Sequence, residues 1–305
     1  VKAAAFVTPG PPEVLQVMDL PSPEPGAGEV RVRVRAAGVQ PVDLSVRQGR
    51  MPMGVEATAG PMVPGNEFAG VVDEVGSDVT DIAAGDEVLG FRVLNCYAEQ
   101  VVAPASQVVR RPAELPWEIA GGLSGAGQTA HTAIEDLRVT AGDTVLIHAA
   151  AGAVGTVAVQ LARLAGATVI GTASPANHDY LRALGAIPVA YGNGLVERVR
   201  AVAPGGVDAS LDAAGADGLR AAVALVEDRD RIGTIVAFDL VQELGVRWLG
   251  SRRSAARLTD LVELYADGRL RVELRRAYPL EQAADAHREV GTGHGRGKVV
   301  LMLPS

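Results

Sequence analysis

The chain has 305 residues, enough for two hydrophobic cores, and its 48% hydrophobic and 21% charged residues are an ordinary balance for a soluble globular protein. A net charge of -8 excludes nucleic-acid binding through a general basic face, so a phosphorylated ligand needs local basic groups or backbone donors. The single cysteine, Cys96, excludes an intrachain disulfide and a cysteine-based metal cluster, and fits a reducing cytoplasm.

Aromatic residues are only 4%, so the cores must be built from Ala, Val and Leu. The opening run Val1–Val7 is too short for a secretion signal, and prolines follow at once. Glu29–Arg35 alternates with period two, which predicts a half-buried strand whose arginines form a solvated face. Proline and glycine clusters at 9–12, 21–28 and 60–65 mark loops. Further short strands are expected at 67–75 and 86–90, a spacing that suits a small barrel-like β domain. From Pro116 the pattern changes. A helix is expected over 117–134, then a buried strand at 144–150. Next comes a helix with Val154, Val157, Ala158, Leu161 and Ala165 on one face. A strand at 168–173 and a helix at 178–184 follow, then strands at 187–191, 207–211 and 232–238. Such alternation predicts a parallel sheet covered on both sides, with right-handed crossovers. The uncharged stretch 144–162 is read as strand, turn and helix, because His148, Gly152, Gly155 and Gln160 interrupt it, and no membrane span is expected. The tail reads as a strand at 272–276, a helix at 280–290 and a strand at 298–303, and periodicity does not assign it to either unit.

The informative segment is His148-Ala149-Ala150-Ala151-Gly152-Ala153-Val154-Gly155, between a strand and a helix. Positions 150, 152 and 155 have the spacing of the dinucleotide fingerprint, with Ala150 in place of its first glycine. The backbone must approach a pyrophosphate with no side chain in the way, which Gly152 permits, while a helix N-terminus offers free N–H groups; Gly155 lets helix pack on strand. About twenty residues on, an acidic residue would favour NADH. Thr172-Ala173-Ser174 stands there instead, with no carboxylate until Asp179, which favours NADPH. Ser174 either donates to a phosphate oxygen or caps the following helix.

These residues carry a family resemblance. Ala36–Gly49, Val63–Val72 and Gly297–Leu301 resemble motifs of the zinc-free, zeta-crystallin-like quinone oxidoreductase branch of the medium-chain dehydrogenase/reductase superfamily. Val145–Ser174 is also similar to polyketide enoyl-reductase domains. The resemblance spans essentially the whole chain. It implies a GroES-like β-barrel domain (1–117 and 270–305) and an inserted Rossmann domain with a doubly wound parallel sheet (118–269). It further implies hydride transfer from NADPH to a quinone or α,β-unsaturated carbonyl in a cleft between the two, commonly in a homodimer. The zinc-dependent relatives carry a cysteine ligand and a Gly-His-Glu sequence where this chain has Val39-Gln40-Pro41-Val42-Asp43 and Gly65-Asn66-Glu67, so no metal is expected.

By the same resemblance, Thr129 lies near the nicotinamide, Tyr191 near the adenosine 2′-phosphate region, Phe238 on the nicotinamide side and Lys298 within reach of the cofactor. Together with Ala151, Gly152, Ala153, Val154, Gly155, Ser174 and Asn177 they form the expected cofactor set. Gln40 replaces the usual asparagine, and Asn177 replaces a lysine or arginine that supports the 2′-phosphate. The stretch 239–247 is shorter than in relatives. Gln40, Tyr97 and His131 are the candidate catalytic residues, the last two as proton donors. Asp43 and Glu67 are given structural roles. The first functional reading is a general quinone or enone reductase. The second is an enoyl-thioester reductase or tailoring enzyme served by an acyl carrier in trans, and the third is a non-catalytic NADPH-binding sensor or structural protein.

Overall fold

The computed structural model describes residues 1–52, 54–55 and 60–304. Strands β1 (Lys2–Ala5) and β2 (Gln16–Asp19) pair antiparallel as a small ribbon. The long β3 (Glu29–Val39) leads into the short helix α1 (Pro41–Arg47). Strands β4 (Glu67–Val75), β5 (Glu87–Phe91), β6 (Gln100–Pro104) and β7 (Val108–Arg110) follow. Every even position of β3 from Val30 to Val34 is buried, as the alternation requires. The arginines between them differ: Arg33 is exposed, but Arg31 is engaged by Asp73 at 2.9 Å and Glu74 at 2.8 Å.

Helix α2 (Trp117–Asp136) begins the second unit. Then come β8 (Thr144–Ile147), α3 (Ala153–Leu164), β9 (Thr168–Ala173), α4 (His178–Ala183), β10 (Ile187–Ala190) and α5 (Leu195–Val202). These are followed by β11 (Ala209–Asp212), α6 (Ala216–Leu225), β12 (Ile232–Thr234), α7 (Val241–Leu244), β13 (Arg247–Trp248) and α8 (Ala255–Ala266). The chain ends with β14 (Leu274–Pro279), α9 (Ala283–Gly291) and β15 (Lys298–Met302).

Six parallel strands stand in the order β10-β9-β8-β11-β12-β13, a doubly wound Rossmann sheet. The chain runs outward from β8 through β10 and then returns to the other side of β8, so the order reverses between β8 and β11. The second sheet has the order β14-β15-β3-β4-β5-β7, with β6 also on β3. Its pairings are antiparallel except β14 with β15. Val299–Met302 pair with Ala36–Val39, and this pairing assigns the tail to the N-terminal sheet.

The cores are aliphatic. Buried Val and Ala fill the interior of the N-terminal sheet, and a second cluster runs from Leu89 and Phe91 through α2 into the face of the parallel sheet that α3 covers. Helix α2 lies close because it is rich in glycine: a Cβ on Gly121 would lie 2.5 Å from Ala36 Cβ.

Three expected strands end differently. The strand expected at 144–150 stops at Ile147, and the chain turns through Ala149 at φ 52°. The one expected at 232–238 stops at Thr234, whose Oγ1 accepts from the N–H groups of Val236 (3.1 Å) and Ala237 (2.9 Å) and curls the chain away. The tail strand expected at 272–276 lies at Leu274–Pro279.

Candidate functional site

At the C-terminal end of β8 the chain enters α3 through Gly152, its N-cap, at φ -71° and ψ 175°. The first turn of a helix leaves N–H groups without intrahelical acceptors, and here these belong to Ala153, Val154 and Gly155. A Cβ on Gly152 would meet only the Ala149 carbonyl oxygen, at 3.2 Å, so the outward approach is open. At Gly155 a Cβ would lie 2.4 Å from that oxygen and 2.6 Å from Ala150 Cα, so helix and strand touch there. Ala151 is buried, and its carbonyl accepts from Gly297 N–H at 3.1 Å, which ties the closing loop to the turn.

This turn opens into a cleft of about 500 Å³ between the two sheets. Gln40, Thr129, Gly152, Ala153, Val154, Phe238 and Lys298 all line it, so the structure brings half of the sequence-derived set together there. Thr129 Oγ1 donates to the Gly125 carbonyl at 2.7 Å. Phe238 is 55% exposed and meets Trp248 edge to face at 5.9 Å. Ser174, Asn177 and Tyr191 lie outside the lining, just past the ends of β9 and β10 on the same edge of the sheet. Ser174 makes no capping bond; its hydroxyl accepts from Asn177 Nδ2 at 3.3 Å. Asp179 is turned outward to Arg182 at 2.6 Å.

A buried polar network forms the floor opposite the turn. Glu67 is fully buried. Its Oε1 accepts from Lys298 Nζ at 2.6 Å and Gln40 Nε2 at 2.8 Å, and its Oε2 from the Gly125 N–H of α2 at 2.5 Å. Asn66 Nδ2 donates to Asp43 Oδ1 at 3.0 Å, and Asn66 Oδ1 accepts from Arg253 Nη1 at 3.2 Å. Asp43 Oδ2 accepts from Tyr97 OH at 2.8 Å and from the Gln40 N–H at 2.9 Å. Burial pushes the Asp43 carboxyl up to about 6 against these bonds. Among the described residues, no group of three or more His, Cys, Asp or Glu side chains is placed to hold a metal ion.

Two candidate proton donors are corrected by this geometry. His131 does not reach the cleft. Two residues on a helix are separated by about 200°, so Thr129 facing the cleft turns His131 away. Its Nδ1 accepts from Arg257 Nη1 at 2.8 Å, against α8. Tyr97 is wholly buried behind Asp43, with its hydroxyl 3.3 Å from His287 Nε2. Burial and the Asp43 charge push its pKa well above the usual phenol value, so it does not give a proton directly to a molecule in the cleft. Cys96 is buried and its thiol pushed up by desolvation, which leaves it inert. His148, at the end of β8, is held neutral by burial, with a pKa down at about 4.

Sequence reasoning missed Arg253. It follows β13 in a loop with no periodicity, and only the fold carries it back to Asn66.

The model of the alcohol dehydrogenase GroES-like domain matches residues 26–113, and that of the zinc-binding dehydrogenase matches residues 184–301. The chain is 36% identical over 308 residues to the spectinabilin polyketide synthase system protein NorB of Streptomyces orinoci, covering 93% of this chain and 14% of that protein. It spans only 5% to 14% of the length of this and two other polyketide synthases that it matches. Among solved structures it is similar to the quinone oxidoreductase from Coxiella burnetii, at 33% identity and a TM-score of 0.89 over 99% of each chain. A mycobacterial protein complexed with NADPH is similar at 30% identity and a TM-score of 0.87, over 99% of this chain and 100% of that one.

Proposed function

Because this chain belongs to the medium-chain dehydrogenase/reductase superfamily, whose relatives here include a quinone oxidoreductase, we propose that it is a zinc-independent, NADPH-dependent reductase of quinones or α,β-unsaturated carbonyl compounds. The observation that carries the reading is the bare Gly152 turn at the point where the strand order reverses, opening directly into the cleft. The proposed division of labour gives nucleotide binding to residues 118–269 and the acceptor side to 1–117 with 270–305.

When bound, NADPH supplies the hydride. The chain's own part is to bind, orient and exclude water. The Ala153, Val154 and Gly155 N–H groups hold the diphosphate at the positive end of α3. Ser174 and Asn177 offer neutral hydrogen bonds to the 2′-phosphate, where a carboxylate would repel it, and Tyr191 packs alongside. Thr129, Phe238 and Lys298 bound the nicotinamide end. The Gln40 amide, held by Glu67, positions the acceptor. Neutral amides at positions 40 and 66, together with a Glu67 carboxylate already held by Lys298, favour a metal-free reaction. The proton that completes alkene reduction comes from solvent at the cleft mouth. A second reading, reduction of an enoyl thioester delivered by an acyl carrier in trans, is favoured by the similarity to NorB.

The test is loss of NADPH absorbance with three panels of acceptors: quinones, enones and enoyl thioesters. NADH serves as the comparison cofactor, and each assay is run with and without a chelator. Turnover that prefers NADPH and ignores the chelator is expected. Tight NADPH binding with no turnover on any panel would leave a sensor or structural protein, and loss of activity with chelator would overturn zinc independence.

A further inference from the structure

We propose that Arg253 docks a carboxylate carried by the acceptor, so that the compound reduced here is an organic acid with a conjugated carbonyl group. This deepens the reductase reading and rests on it.

Arg253 lines the cleft beside Asn66. Among the described residues only one of its three nitrogens is engaged: Nη1 donates to the Asn66 carbonyl at 2.8 Å and to Asn66 Oδ1 at 3.2 Å, both neutral acceptors. Among the described residues, no carboxylate stands at ion-pair distance from it, and its Nε and Nη2 have no hydrogen-bond partner. The other strong cations of the lining are taken, Lys298 by Glu67 and Arg275 by Glu289, each at 2.6 Å.

The guanidinium is also held in place. The ring of Phe91 lies 5.2 Å from its central carbon. Asn66 cannot turn its oxygen away, because its Nδ2 is tied to Asp43 on the far side. Burial lowers the Arg253 pKa, which shows the cost of keeping this charge out of water without a counter-ion in contact.

The free edge sets the ligand's chemistry. Nε–H and one Nη2–H point the same way along one edge of the guanidinium, in its plane, spaced for the two oxygens of a carboxylate. The lining of the same cleft includes Val39, Val42, Leu94 and Leu249, which suits a hydrocarbon body attached to that acid. On a chain of net charge -8, such a local cation is what an anionic acceptor requires. The docked carboxylate takes no part in the redox step; it fixes where the conjugated carbonyl lies.

A matched pair tests this: benzoylacrylate, which carries a conjugated ketone and a carboxylate, and its methyl ester. The wild-type protein should favour the acid in kcat/KM by about tenfold or more, the scale of a charge-assisted bidentate contact. In Arg253→Gln the acid-to-ester ratio should fall towards one, mainly through the KM of the acid, with partial retention in Arg253→Lys. A wild-type ratio near one overturns the proposal, as does a ratio unchanged by the substitution. Calorimetry with the saturated analogue benzoylpropionate reads docking without turnover. Binding to wild type and its loss in Arg253→Gln, with NADPH affinity and melting temperature retained, supports docking even if the reductase reading fails. Equal binding by both proteins refutes docking even if that reading stands.

Discussion

A Cβ placed on Gly155 would lie 2.4 Å from the Ala149 carbonyl oxygen, whereas one on Gly152 meets the same oxygen at 3.2 Å. The two glycines of one turn therefore predict different losses. Gly155→Ala overpacks backbone against backbone and should cost about 1–3 kcal/mol in denaturant unfolding. Gly152→Leu should retain the fold but weaken NADPH binding by about 100-fold or more, near 2.7 kcal/mol. Undiminished affinity in Gly152→Leu would remove this turn as the seat of the diphosphate. The tight turn at both glycines was legible in the sequence because its geometry depends on neighbours a few positions away. Asn66 and Arg253 were not, since their pairing joins residues 187 positions apart across two sheets. His131 shows the same limit from the other side. Its residue type fitted a proton donor, but the face of α2 it occupies follows from which side of the helix the cleft lies on.

At the scale of elements, Glu67 at the start of β4 joins three parts of the chain: β15 through Lys298, α1 through its N-cap Gln40, and the middle of α2 through the Gly125 N–H. Lys298 is 5% exposed, so removing its partner leaves a buried charge unpaired. Glu67→Gln should cost about 3–5 kcal/mol, and adding Lys298→Met should recover part of that loss in the same denaturant experiment. A double variant no more stable than the single would show that the pair is not the source. Strand β4 was read at its observed bounds, because alternation and a flanking glycine define it locally. The strand expected to run on to Phe238 was not, because the Thr234 hydroxyl captures two backbone N–H groups and no hydropathy pattern records that bond. Helices α1, α5, α6 and α8 also escaped the pattern. Helices α1 and α5 are short, with only three and two buried residues respectively, too few to mark a stripe.

For the molecule as a whole, the buried titratable groups set how stability follows pH. Burial drops His287 to about 3, with the Arg47 charge adding to the shift, and drops His148 to about 4. Below the ordinary histidine value of 6.5 the unfolded chain takes up these protons while the folded one resists, so stability falls as pH drops from 6.5 towards 4. Asp43 acts in the opposite sense. Its folded value of about 6 lies above the ordinary 3.8, so its contribution is lost as pH rises through that window. Two histidines outweigh one carboxyl, and unfolding midpoints should fall between pH 6.5 and 4. His287→Gln should flatten that slope and Asp43→Asn should steepen it; a slope unmoved by either change would mean that these groups are not the cause.

The β15–β3 pairing also bears on assembly. Residues 299–302 sit in the interior of a sheet whose other strands, apart from β14, are complete by Arg110. During synthesis the early strands must wait, with one flank of β3 bare, until β15 leaves the ribosome, whereas the six parallel strands are complete by Trp248. Contacts of such sequence separation are slow to form. The half built on the parallel sheet is thus set to mature first, and the antiparallel half stays open to wrong partners until β15 docks.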